Sequence, residues 1–200
     1  MAEKTKEKAI IEAAKERFAH FGFSKVTMEE IASDVDLGKA SLYYYFPTKE
    51  DLFKAVISLE QNKLKENFEE LLQKNTAASK KLQEYVDLRM KFFRDLINLG
   101  TLSVHSYFDT KSVIKEVFID FEKIELQLIK KIINEGKKAK EFKPELAEDT
   151  SLIFLHILQG LRCRVLRWAK GTSLDAETNY DLQKEMSTAT EIFINGISNK

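Results

Sequence analysis

Residues 27–53, TMEEIASDVDLGKASLYYYFPTKEDLF, decide the fold: they spell a short helix, a tight turn, a second short helix with an aromatic end, and the start of a third. Thr27 is a side-chain cap for a helix beginning at Met28, and Glu30 stands where a capping box wants its carboxylate. Met28, Ile31, Ala32 and Val35 then share one face, so this helix has a buried side and a wet side. The segment from Asp36 to Gly38 breaks it. A second helix, Lys39 to Tyr45, buries Leu42 and Phe46 and leaves Lys39, Ala40, Ser41, Tyr43 and Tyr44 available to point outward. Pro47 ends it, having no N–H to give and disfavouring helical geometry in Phe46, and Thr48 caps the next helix. This is a helix-turn-helix, an arrangement that presents a short helix to DNA.

Upstream, Ala9, Ile10, Ala13, Ala14, Arg17, Phe18 and Phe21 give a first helix whose apolar stripe packs on that motif, closed by Gly22. The run HFGFSKVT leading into the motif, together with LYYYFPTKEDL closing it, resembles the tetracycline-repressor (TetR) family of bacterial transcription regulators over roughly the first quarter of the chain. Beyond residue 55 the likeness is to the family's general layout. The resemblance implies an all-α fold: an N-terminal three-helix helix-turn-helix DNA-binding domain at 1–47, followed by a larger helical ligand-binding and dimerisation domain at 48–200.

Composition agrees with that layout. The chain has 200 residues, enough for a packed core, with only two prolines and seven glycines, and no stretch alternates long enough to claim a strand. No apolar run reaches membrane-spanning length and MAEKTKEKAI lacks the apolar core of a signal peptide, so the expectation is a soluble cytoplasmic protein without membrane contact. A single cysteine, Cys163, fits a reducing compartment and reads as a small buried hydrophobe. Basic and acidic residues number 32 each. The first fifty residues carry eight bases against nine acids. Nonspecific attraction to phosphate is therefore weak, and binding must rest on local donors and two-fold repetition, which suits a specific regulator and not a general nucleic-acid coat.

Leu52, Phe53, Val56, Leu59, Leu64, Phe68, Leu71 and Leu72 describe a long connecting helix from about Thr48 to Lys74, with NTAAS at 75–79 as its exit. The next helix ends before Gly100 and is followed by a short apolar piece around Leu102 to Phe108. Val113 to Ile133 form another long stripe ending in the basic run up to Lys140. Pro144 is placed at the first turn of the helix after that, with Glu145, Glu148 and Asp149 near its positive end. From Leu152 to Trp168 that helix is apolar almost all round and is expected to be buried on several sides; a final helix runs from about Asp175 to Ile197. Two terminal helices this apolar suit a two-fold four-helix contact between chains, as in the resembled family, with Leu158, Leu161, Val165, Phe193 and Ile197 as contributors.

Two charges sit on faces that should be buried: Arg89 within the Tyr85, Val86, Phe93 stripe, and Glu125 within the Phe118, Phe121, Leu128 stripe. Either they pair, or they reach solvent, or they line a cavity where a ligand supplies the missing charge. With Phe92, Phe93, Tyr107, Phe121 and Trp168, such a pocket is apolar and aromatic, suited to a small lipophilic effector, and His105 and Tyr107 lie where its mouth would be. Direct pairing would leave it essentially apolar, with a neutral or long-chained ligand.

By similarity to the family, Lys39, Ala40 and Tyr43 face base edges of an inverted-repeat operator read by a homodimer, while Thr27, Ser41, Tyr45 and Lys49 match positions that hold phosphates. The alternative for Tyr43, Tyr44 and Tyr45 is an aromatic cluster stiffening the three-helix core, and Tyr44 is read that way. The chain departs from the family in having Tyr45 where histidine is common, and Asp36 where the turn usually has glycine. Enzymatic readings are poor: His20, His105 and His156 are isolated, Ser103, His105 and Asp109 diverge from one short segment, and no glycine-rich phosphate loop occurs. No metal or cofactor is expected. These features point to a repressor released from DNA by its ligand; the rival is a helix-turn-helix adaptor acting through protein contacts alone.

Overall fold

The computed structural model describes the backbone over residues 2–98, 104–168 and 176–199, and side chains over 5–94, 117–164 and 181–199. Among these residues the architecture is all-α: α1 (Ala2–Phe21), α2 (Met28–Asp34), α3 (Lys39–Tyr45), α4 (Lys49–Gln73), α5 (Ala78–Asn98), α6 (Val104–Lys138), α7 (Thr150–Trp168) and α8 (Ala176–Ile197). The first helices form the helix-turn-helix and the later ones a larger helical bundle. No described helix is long and apolar enough to cross a membrane.

The chain divides into two compact units. The first contains Met1–Asn62 with Phe93–Val117, and the second contains Lys63–Phe92, Phe118–Lys170 and Leu174–Lys200. In the first, the stripe of α1 buries Ile10, Ala14 and Phe18 fully, and α2, α3 and α4 bury Ile31, Leu42 and Phe53. Phe18 packs edge-on to Phe53 at 5.4 Å, and Phe23 lies 4.8 Å from the same ring. Each fully buried isoleucine, leucine or phenylalanine among them contributes about 1.5–3 kcal/mol. Gly22 closes α1 with φ 83°, a conformation glycine adopts without a Cβ clash.

In the second unit Phe142 is fully buried against Gly136, where a Cβ would come within 2.2 Å of its ring. After α6 the chain turns at Lys140 (φ 58°) and Phe142 forms an isolated bridge with Ser198; the segment is tied down by the Lys143 N–H donating to the Ile197 carbonyl (2.9 Å) and the Asn199 N–H to the Glu141 carbonyl (2.8 Å). The Glu141 carboxylate accepts from the N–H groups of Ala78 (2.7 Å) and Ser79 (2.9 Å), so it caps α5 from across the fold.

Several sequence expectations need correction. Pro144 does not open α7, which begins at Thr150. The pairing of Lys143 with Ile197 and the burial of Phe142 hold the chain extended there, and a residue before proline favours that geometry. The apolar piece near 102–108 is not a separate element, because α6 runs unbroken from Val104. Helix α7 is not buried all round: Ile153 and Ile157 are exposed, and so is Cys163.

Candidate nucleic-acid interface and a buried charge cluster

Thr27 begins the reading head as the sequence requires. Its hydroxyl accepts from the Glu30 N–H (3.3 Å), and its own N–H and hydroxyl both donate to the Glu30 carboxylate at 2.8 Å. Those bonds, led by the Thr27 N–H, hold the Glu30 carboxyl below its ordinary range. Helix α2 ends at Asp34, and the chain reverses through Asp36, whose φ of 53° is the left-handed conformation that aspartate tolerates better than most residues. The Leu37 N–H returns to the Ala32 carbonyl at 2.9 Å, and Gly38 leads into α3.

Helix α3 is anchored by Leu42, fully buried, and by Phe46 just beyond its end; Lys39, Ala40, Ser41 and Tyr43 are exposed. Tyr44 is a correction: it does not stiffen the core but stands 76% exposed, because it lies about 200° around the helix from Leu42. Its ring meets Tyr45 edge-on at 5.6 Å, and with Lys6, Leu37, Ala40, Ser41 and Tyr45 it lines an open groove of about 380 Å³. Lys6 went unnoticed in the sequence, where nothing local tells which α1 residue lies beside α3.

The charges around α3 are arranged in pairs. Arg17 of α1 binds Asp34 through two guanidinium nitrogens and lies 3.4 Å from Glu30. Lys39 forms an ion pair with Glu29 of α2, and its ammonium sits 5.9 Å from the Tyr43 ring centroid. Lys49 is half-buried, donating to the carbonyls of Phe23 (2.8 Å) and Val26 (3.1 Å) with its ammonium 4.5 Å from the Phe23 ring. Lys15 reaches Glu60 of α4 at 2.8 Å. Helix α4 is thus fastened to the reading head by two lysines.

In the second unit, Arg89 and Glu125 are both buried and pair directly at 2.6 Å. Tyr85 completes the cluster by donating its hydroxyl to the same carboxylate oxygen at 2.8 Å. Burial, then the neighbouring Glu125 charge, pushes the Tyr85 phenol well above its usual value, so it remains a donor. In the sequence Tyr85 reads as one more apolar position; its place one turn before Arg89 is the available signal. Phe92 and Phe121 lie 5.6 Å apart beside the cluster, and Phe121 stacks on Phe68 at 6.3 Å. Phe93 is buried, within the first unit. The side chains of His105, Tyr107 and Trp168 lie outside the described residues.

Among the residues expected at a chain–chain contact, Leu158 and Ile197 are buried within the chain, Phe193 stacks on Phe154 at 4.3 Å, Leu161 is half-buried, and Val165 lies outside the described side chains. Among the described residues, the large apolar side chains left open on α7 and α8 are Ile153, Ile157 and Ile192.

A short helix held at its apolar face, with its polar face open beside a capped α2, defines a helix-turn-helix DNA-binding transcription regulator. The chain belongs to the tetR family of bacterial regulatory proteins: residues 10–56 match that family, and residues 60–199 match the QacR-like C-terminal region. The crystal structure of a transcriptional regulator from Cytophaga hutchinsonii is similar to it with a TM-score of 0.86 at 39% identity, covering 96% of this chain and 97% of that one. The regulator QacR of Staphylococcus aureus (strain Mu50) is 26% identical over 192 residues, 94% of this chain and 96% of its own length. A FadR from Bacillus subtilis, crystallised in complex with stearoyl-CoA, shares the fold at 21% identity and a TM-score of 0.67, over 95% of this chain and 98% of that one.

Proposed function

We propose that this chain is a homodimeric repressor that reads an inverted-repeat operator through α3 and leaves it when a neutral or long-chained lipophile binds the C-terminal region. The functional division falls at Thr48, with the DNA reader at 1–47 and sensing and dimerisation at 48–200. The observation that carries the DNA-reading part is the outward face of α3, where Lys39, Ala40, Ser41 and Tyr43 are exposed while Leu42 is fully buried. Ala40 lets the helix sit deep in a major groove, Lys39 can donate to guanine, and Tyr43 can meet a thymine methyl. Ser41 and Tyr45 carry hydroxyls for phosphate. Thr27 reaches phosphate only by sharing donors now given to Glu30, and Lys49 by the third of its ammonium donors.

For the effector, the support is the satisfied charge cluster. Glu125 accepts from Arg89 and Tyr85, so this pair asks no opposite charge of a ligand. That suits an apolar or acyl occupant, of which the stearoyl chain of the stearoyl-CoA held by a protein of the same fold is an example. Release follows if occupancy shifts α4, which Lys15 and Lys49 fasten to the reading head, and so changes the separation of the two recognition helices.

The test is binding to the DNA upstream of the chain's own gene and its neighbours. A footprint with two half-sites on one face of the duplex, about 34 Å apart or somewhat more, is expected. Tyr43→Ala should lose about 1–3 kcal/mol on the operator and relax preference at one base position. Equal losses on operator and random DNA would remove Tyr43 from base reading. An operator complex that no fatty acyl or neutral lipophile weakens would favour an adaptor acting through protein contacts.

A further inference from the structure

We propose that Glu29 is a positioning residue that sets how strictly the protein separates its operator from random DNA, by holding the Lys39 ammonium beside Tyr43 and away from phosphates. The inference rests on the DNA-reading role proposed above. Glu29 lies in the first turn of α2 and Lys39 at the start of α3, so their ion pair bridges the two helices of the motif on its exposed side. Both side chains are at least half exposed. The other acids of α2 are engaged elsewhere, Glu30 by Thr27 and Asp34 by Arg17, which leaves Glu29 as the carboxylate facing Lys39. The hydrogen bond from Lys39 keeps Glu29 below the ordinary carboxylate range and, reciprocally, raises Lys39, so both stay charged near neutrality.

An unpaired lysine at this place would attract any phosphate, adding the same affinity to every sequence. Paired, it brings no net charge to the surface, and the carboxylate repels a backbone that approaches without offering Lys39 something better. A guanine edge, with two acceptors at O6 and N7, makes that offer; a random register does not. The Tyr43 ring, with its centroid 5.9 Å from the ammonium, further limits where the lysine can swing. In a first fifty residues with more acids than bases, this arrangement withholds general affinity so that base reading decides.

The test measures affinity of the full-length protein for its footprinted operator and for a random duplex of equal length, from about 50 to 200 mM salt. Glu29→Gln is expected to strengthen random-duplex binding roughly threefold to tenfold near 0.1 M salt and to steepen the log–log salt slope by about 0.9 per protomer. Operator affinity should change less, so the ratio falls. Because the discriminating effect acts through Lys39, the same substitution in a Lys39→Met background removes only a repulsion common to all sequences, so it should strengthen operator and random duplex alike and leave the ratio unchanged. An unchanged ratio in Glu29→Gln, or a fall in the ratio that survives Lys39→Met, would overturn this inference alone. A parent protein with no operator preference would overturn the DNA-reading proposal and this one together.

Discussion

At the residue scale, Glu141 and Arg89 carry the heaviest consequences, and both act through partners far along the chain. Burial pushes the Glu141 carboxyl upward, but hydrogen bonds from the Ser79 side chain and from the N–H groups of Ser79 and Ala78 outweigh it, leaving the group below its ordinary 4.5. A carboxyl lowered on folding stabilises above its unfolded value and loses that contribution as pH falls through its folded one. Glu141→Ala should therefore reduce stability by about 1 kcal/mol at neutral pH, the scale of a lost helix cap, with the difference from the parent shrinking on acidification. Urea titrations at several pH values would check it, and a difference that grows in acid would contradict the cap. Arg89→Met leaves the buried Glu125 carboxylate with Tyr85 as its donor, so a loss of about 3–5 kcal/mol is expected, largely recovered by adding Glu125→Leu. The sequence showed both charges as misplaced on apolar stripes. It did not show that they were 36 residues from a mutual solution, nor that Tyr85 would join them.

At the scale of elements, helix starts and stops near the reading head were legible because their causes are local. Thr27 with Glu30, Thr48 with Asp51, Gly22 and Asp36 each act within one turn of the residues they control. Asp36 gives a direct test of the turn: Asp36→Gly should raise stability by up to about 1 kcal/mol with operator binding kept, while Asp36→Val should lower it, as thermal melts would record. Pro144 misled for the converse reason. Its residue type suits a helix's first turn, but a neighbouring strand-like pairing of Lys143 with Ile197 claimed the segment, and those partners lie far apart along the chain. The close approach of Phe142 to Gly136 makes the point energetically. Gly136→Ala would force the buried ring aside and should cost about 1–3 kcal/mol, read from denaturant midpoints.

For the whole molecule, the proposed two-fold assembly rests on Ile153, Ile157 and Ile192. They are 46%, 38% and 68% exposed, a poor arrangement for a lone chain and a suitable one for two-fold helix pairing. Ile192→Glu and Ile157→Glu should yield folded monomers that lose the inverted-repeat operator, as seen by sedimentation and binding. Leu158→Glu, by contrast, should unfold the chain itself, because Leu158 is fully buried. Unchanged dimers in both isoleucine variants would move the contact off this face.

The sequence by itself determined the all-α class, the helix-turn-helix with its caps and breakers, and the outward face of α3, since periodicity and capping act over a few residues. Tertiary structure alone decided that Lys6 lines a groove with α3, that Arg89 finds Glu125 and Tyr85, and which isoleucines of α7 and α8 remain uncovered. Those outcomes depend on which distant surface each helix meets. An apolar stripe states that a face is covered, not what covers it, and a buried charge states that it needs a partner, not where along the chain the partner lies.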